Sequence, residues 1–179
     1  MRLDPKYFNL FLACCALVTI AVILYATIRY HQQQENIFRN NIESYDLSEL
    51  YLSHVTRADS VQVPEFKGQP LIIDFWASWS DKSQKVHTAL GEAAGRYPDL
   101  KILAAAVRDD TSQILDYINR HDYPFSYVAG TGFYQELQVP GIPSQIFIDR
   151  SGRYFDLQIG DDIEELNMKI EALMKNESN

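Results

Sequence analysis

The rhythm of apolar and polar positions changes along the chain, and each change marks an element. From Phe8 to Ile28 (FNLFLACCALVTIAVILYATI) apolar residues follow one another without a charge. At ~1.5 Å per residue such a helix spans about 30 Å, the thickness of a bilayer's hydrocarbon core. The run outlasts the apolar core of a cleaved leader. Arg29-Tyr30-His31 follows it with no small-x-small cleavage site, so residues 8–28 read as an uncleaved signal-anchor in contact with the lipid bilayer. His31 to Asn41 is polar and rich in amides, and either continues the helix or forms a stalk. Leu47, Leu50, Tyr51 and Val55 then recur at helical spacing, which predicts a short amphipathic helix capped by Ser44 or Asp46.

Past residue 58 the pattern becomes an alternation of strands and helices. Leu71 to Ala77 (LIIDFWA) and Lys101 to Val107 (KILAAAV) are continuous apolar runs, as in strands covered on both faces. Shorter strands are expected at Val61–Val63, Phe125–Ala129, Ser144–Asp149 and Tyr154–Ile159, the last two joined by a turn at Ser151-Gly152. Helices are expected from Ser80 to about Tyr97, over Ser112–His121 with Ile114, Leu115 and Ile118 inward, and briefly over Phe133–Gln138. A last helix, capped by Asp161 or Asp162, turns Ile163, Leu166, Ile170, Leu173 and Met174 inward. The organisation is thus a tail at 1–7, a transmembrane helix at 8–28, a stalk and membrane-proximal helix at 29–57, and an α/β domain at 58–176.

Composition narrows the chemistry. The net charge is −8 with no block of Lys or Arg, which argues against a nucleic-acid partner. Both cysteines, Cys14 and Cys15, lie inside the apolar run, so the domain has no thiol for a disulfide, a nucleophile or a zinc site. His31, His54, His87 and His121 are scattered with no ligand pair at metal spacing, and neither a metal nor a cofactor is expected. Arg2 and Lys6 precede the apolar run while Arg29 and Arg39 follow it. This slight bias favours a cytoplasmic N-terminus and an extracytoplasmic, periplasmic domain on a single-pass cell-membrane anchor.

Four runs carry a resemblance. Asp74-Phe75-Trp76-Ala77-Ser78-Trp79, Val139-Pro140-Gly141-Ile142-Pro143 and Ile148-Asp149-Arg150-Ser151-Gly152 occur in that order, with an inserted β-α unit at 101–121. Over residues 58–175 the chain resembles the thioredoxin superfamily, and within it the TlpA/ResA-like membrane-anchored thiol–disulfide proteins. The resemblance implies a thioredoxin-like central mixed sheet flanked by helices. It breaks where the family has C-x-x-C, since this chain has Ser80-Asp81-Lys82-Ser83. A serine hydroxyl neither ionises accessibly nor forms a disulfide. The expected function is therefore a redox-inactive protein- or peptide-binding or scaffold module. The alternative is a thiol–disulfide oxidoreductase by ancestry, in an inactive or altered form.

The residues carry matching expectations. Ser80 and Ser83 read as caps of the helix they open; the alternative is a serine nucleophile with His87, four residues after Ser83, and Asp74. Asp74 stands where the resemblance places a buried acid. Hydroxyl bonds from Ser80 or Ser83, or an ion pair with Lys82, are its available compensations. Pro143 resembles the family's cis-proline. With Ile142, Trp79 and Trp76 it is expected to form an apolar surface for a peptide client.

Overall fold

The computed structural model describes residues 5–176. Arg2 and Asp4 lie outside them, as does the Lys6 side chain. Helix α1, Pro5–Ser44, contains the apolar run, whose side chains are exposed. Among the described residues it is the helix long and apolar enough to cross a membrane.

The chain divides into two compact units, and the second begins at Phe38. That is well ahead of residue 58. Phe38 and Ile42, on the last turns of α1, are buried in the domain's own core, as are Leu47, Leu50 and Leu52. The amphipathic helix expected over 47–55 is instead a single 3-10 turn, Leu47–Glu49, followed by strand β1, Tyr51–Ser53. Asp46 caps the turn by accepting the Ser48 N–H at 3.0 Å. Leu50 and Leu52 then point inward with Tyr51 outward, the two-residue period of a strand. β1 pairs antiparallel with β2, Ser60–Gln62.

The main sheet contains β3 (Leu71–Trp76), β4 (Lys101–Ala106), β5 (Ser126–Ala129), β6 (Ser144–Ile148) and β7 (Tyr154–Ile159). Its order is β5-β4-β3-β6-β7. The β3–β4 and β4–β5 pairs are parallel, whereas β3–β6 and β6–β7 are antiparallel, which makes the sheet mixed. Helices α2 (Asp81–Arg96), α3 (Thr111–Arg120), α4 (Thr131–Glu136) and α5 (Ile163–Lys175) flank it.

Alternation along β3 sorts the core. Leu71, Ile73 and Phe75 face the layer that holds Phe38, Ile42, Phe133 and Leu137. Ile72 faces Val86 and Leu90 of α2 and Leu166 and Ile170 of α5. Trp76 packs with Tyr117 of α3 and Tyr127 of β5. Asp74 shares the parity of Ile72 and Trp76, so the strand's one acid enters the α2/α3 side. On α3, Ile114 and Tyr117 are buried while Leu115 is more than a third exposed, against the expected inward face. A Tyr one turn past Ile114 covers more sheet than Leu115 would, and the helix turns toward it.

Candidate functional site at the start of helix α2

The end of β3 hands the chain to a short loop, Ala77 to Ser80, before α2 begins. Ser80 is the N-cap, and its hydroxyl accepts the Ser83 N–H at 3.3 Å. The fully buried Ser83 hydroxyl accepts the Ala77 N–H at 3.4 Å. Ser80 thus satisfies a backbone donor that the helix start would otherwise leave orphaned, a contribution of about 1 kcal/mol. Ser83, expected as a second cap, lies inside the first turn and serves the N–H of Ala77 in the loop before the helix. The loop is fastened elsewhere too. Ser78 donates its N–H and its hydroxyl to Asp109 at 2.6 and 3.1 Å, and the Gln84 amide donates to the Ser78 carbonyl at 3.0 Å. Between these ties Trp79 stands 62% exposed.

Other residues converge on the same end of the sheet. Ser144 opens β6 opposite Phe75 near the end of β3, which brings the preceding cis Ile142–Pro143 bond to the α2 start. Pro143 is buried and Ile142 half-buried. The Gly160 N–H bonds the Pro143 carbonyl at 2.9 Å, and the next residue, Asp161, meets Lys82 at 3.1 Å and Lys85 at 3.4 Å. Hydrogen bonding from Lys82 holds the Asp161 carboxyl below the usual carboxylate range; slight burial opposes this, and the Lys82 and Lys85 charges reinforce it. Lys82 is therefore engaged with Asp161 and does not pair with Asp74. Trp76, expected beside Trp79 on the apolar surface, is fully buried under α3 because its position on β3 faces inward.

Asp74 is fully buried, and in place of Ser80, Ser83 or Lys82 it meets Gln145, which was not expected, and His87, which only the relay alternative put beside it. Its register partner across β3 and β6 is Gln145, whose amide donates to Oδ1 at 2.7 Å. Nε2 of the fully buried His87, one turn beyond Ser83 on α2, lies 3.0 Å from Oδ2. The other ring nitrogen, Nδ1, lies 2.9 Å from the Tyr117 hydroxyl. Both His87 nitrogens are thereby taken, and both serine hydroxyls serve backbone N–H groups. A Ser–His–Asp relay is not assembled, because neither serine hydroxyl is bonded to the imidazole, whose second nitrogen faces the Tyr117 hydroxyl instead. Network closure removes the cost of burying the acid alone, since each oxygen accepts one donor.

The sequence points to Ser80, Ser83, Asp74, Trp79, Ile142 and Pro143 as neighbours in the fold. The structure places Ser80, Ser83 and Trp79 at the α2 start and Asp74 on β3. Ile142, packed on the layer of Phe38 and Phe133, and Pro143, buried and not on the surface expected of it, precede β6. The sequence misses Gln145 and Tyr117. Gln145 needed the strand register, and Tyr117 needed the rotation of α3. His87 carried a usable signal: an ionisable side chain on the inward stripe of α2 between Val86 and Leu90 must find a buried partner, and Asp74 is the nearest acid on the facing strand.

The fold has counterparts among known proteins. Residues 68–154 match the thioredoxin-like family model. ResA, a thiol-disulfide oxidoreductase of Bacillus cereus, is 21% identical over 109 residues, 59% of this chain and 63% of that protein. DsbE, a thiol:disulfide interchange protein of Vibrio cholerae, is 29% identical over 99 residues, 54% of this chain and 53% of that one. The chain spans less than two thirds of the length of these relatives. Among solved structures, a secreted disulfide oxidoreductase of Mycobacterium tuberculosis superposes with a TM-score of 0.59 at 15% identity, covering 75% of this chain and 98% of that one. A thioredoxin-family thiol:disulfide interchange protein of Chlorobium tepidum gives 0.62 at 14%, covering 70% and 92%. The chain thus has the thioredoxin-like fold with a mixed sheet, and over part of its length it is similar to the ResA and DsbE thiol–disulfide proteins.

Proposed function

We propose that this thioredoxin-like chain is a membrane-tethered binding or scaffold module that performs no thiol–disulfide exchange and holds an extended polypeptide at the α2 start. The observation that carries the reading is the pair of hydroxyls at Ser80 and Ser83, each committed to a backbone N–H, in a domain without a cysteine. Beside them the exposed Trp79 and half-buried Ile142 offer apolar area, and the loop bonds of Ser78 hold Trp79 in place before any partner arrives. Preorganisation of this kind lowers the entropy cost of binding.

The test titrates the full-length chain, in detergent micelles, with a reduced and carboxymethylated protein as an extended, thiol-free polypeptide. Trp76 is buried, so a change in tryptophan emission reports Trp79. Binding is expected to shift that emission to the blue, and Trp79→Ala is expected to weaken affinity about tenfold, as loss of an aromatic anchor does. Equal affinity of the variant and the parent chain would remove this surface from the account.

The tether is residues 8–28, with the N-terminus cytoplasmic and the domain outside. Support comes from the uncharged apolar stretch of α1 and the Arg2 and Lys6 charges before it. Protease added to intact spheroplasts expressing the chain is expected to cut the domain. Protection until lysis would reverse the orientation.

A further inference from the structure

Beneath the binding surface lies a group that surface does not use. Tyr117 is 1% exposed, and its hydroxyl lies 2.9 Å from His87 Nδ1. His87 Nε2 faces Asp74 Oδ2 at 3.0 Å, and Asp74 Oδ1 already accepts from the Gln145 amide. An acid that accepts at both oxygens places the imidazole proton on Nε2, which leaves Nδ1 as a lone pair toward the Tyr117 O–H. The phenol is thus hydrogen-bonded to a base at proton-transfer distance, and a carboxylate stands behind that base.

The neighbouring aromatic groups lack this arrangement. The Tyr127 hydroxyl and the Trp76 indole N–H are buried with no hydrogen-bond partner among the described residues. The Tyr123 hydroxyl meets the Thr88 hydroxyl, at 3.2 Å. A column of rings joins Tyr117 to the surface. His121 stacks on Tyr117 at 4.2 Å, Tyr123 on His121 at 5.7 Å, and Phe125 on Tyr123 at 5.0 Å. His121, Tyr123, Phe125 and Tyr127 line an open groove of about 410 Å³ on the side of α3 and β5. The Trp76 ring lies 4.7 Å from Tyr117 on the inner side.

The geometry points to Tyr117 as a one-electron redox site, oxidised by a small inorganic radical of the azidyl or nitrogen dioxide class that reaches the groove and is itself reduced to its anion. The oxidant takes one electron through the ring column and is reduced by one. At the same time the Tyr117 O–H bond breaks and an N–H bond forms at His87 Nδ1. The products are a neutral phenoxyl radical and an imidazolium held by the Asp74 carboxylate. An enediolate of the ascorbate class at the same groove returns one electron and becomes its own radical, and the proton moves from His87 Nδ1 back to the Tyr117 oxygen. Oxidation settles on Tyr117 because an oxidised phenol must shed its proton, and this is the buried phenol with a base in contact. Burial, followed by the charges of Tyr123, Tyr127 and Asp74, pushes the Tyr117 phenol far above its ordinary value, so it does not ionise before it is oxidised. The activity needs no cysteine and is independent of the peptide surface.

The experiment generates azidyl radicals by pulse radiolysis in a solution of the full-length chain in detergent micelles and follows the phenoxyl absorption. A long-lived phenoxyl population is expected in the parent chain and is expected to vanish in Tyr117→Phe, while the fast-decaying signal of exposed tyrosines persists. His87→Gln keeps an acceptor for the phenol but cannot take its proton, and is expected to lose the long-lived population too. A measurement on the unaltered chain stands apart from any folding defect in these variants. High-field electron paramagnetic resonance of the freeze-trapped radical is expected to show a lowered g-tensor maximum and coupling to one exchangeable proton, the signature of a hydrogen bond from imidazolium. A radical without that coupling, or one of equal lifetime in the parent chain and Tyr117→Phe, overturns the assignment.

Discussion

Asp149 closes the turn between β6 and β7, and it shows how one carboxylate holds a local shape. Its Oδ1 accepts the Ser151 N–H at 2.8 Å, the Ser151 hydroxyl at 2.5 Å and the Arg153 N–H at 3.0 Å. The Arg153 guanidinium lies 3.7 Å from Oδ2. Burial pushes the carboxyl up, but the Ser151 hydroxyl, the two backbone N–H groups and the Arg153 charge outweigh it, and Asp149 sits below its ordinary 3.8. A depressed acid stabilises the fold fully above the ordinary value, and the contribution fades as pH falls through the folded value. Asp149→Asn keeps an oxygen for the N–H groups and loses the charge that strengthens them. The expected cost is about 1 kcal/mol at pH 7, shrinking once pH drops below the ordinary carboxyl value. Urea unfolding of both chains at pH 7 and pH 3 checks this. A cost unchanged between the two would mean that the charge is not what the turn uses. Asp74 offers a contrast among buried acids: its donors come from β6 and α2, not from its own loop, so it ties elements together where Asp149 shapes one turn.

At the scale of elements, what the sequence revealed depended on run length and period. The apolar runs of β3 and β4 and the stripe of α5 emerge within a residue or two of expectation, because a long one-period pattern admits one reading. Asp162 is the cap of α5, accepting the N–H groups of Glu164 and Glu165 at 3.0 Å each. Residues 47–55 failed for the opposite reason. The apolar set Leu47, Leu50, Tyr51 and Val55 fits a helix by spacing, whereas burial of Leu50 and Leu52 follows a strand. The deciding contacts are distant in sequence: the pairing with Ser60–Gln62 and the Val55 N–H on the Tyr127 carbonyl at 3.0 Å. Trp76 and Trp79 show the same limit at closer range. They stand three positions apart, yet strand parity buries one and the loop before α2 exposes the other. The helix start itself was readable, since Ser80 and Ser83 satisfy neighbouring backbone N–H groups. The partners of Asp74 were not, because they depend on a register and on the facing of two helices.

At the scale of the whole molecule, the backbone frame around the α2 start is thioredoxin-like, and the side chains of Ser80 and Ser83 put oxygen, not sulfur, into it. The Ser80–Ser83 spacing, the tied Ser78 loop and the Lys82–Asp161 contact hold that frame without sulfur. The acid beneath it is engaged with His87 and Gln145. The frame should therefore accept cysteines and, without them, exchange nothing. The most direct measurement is insulin reduction in the presence of dithiothreitol by the full-length chain, beside its Ser80→Cys/Ser83→Cys variant. The account predicts that the parent chain gives the rate of buffer alone at every concentration, while the variant forms a disulfide on mild oxidation and accelerates the reaction. A parent-chain rate that rises in proportion to its concentration would contradict the claim that this domain works by binding.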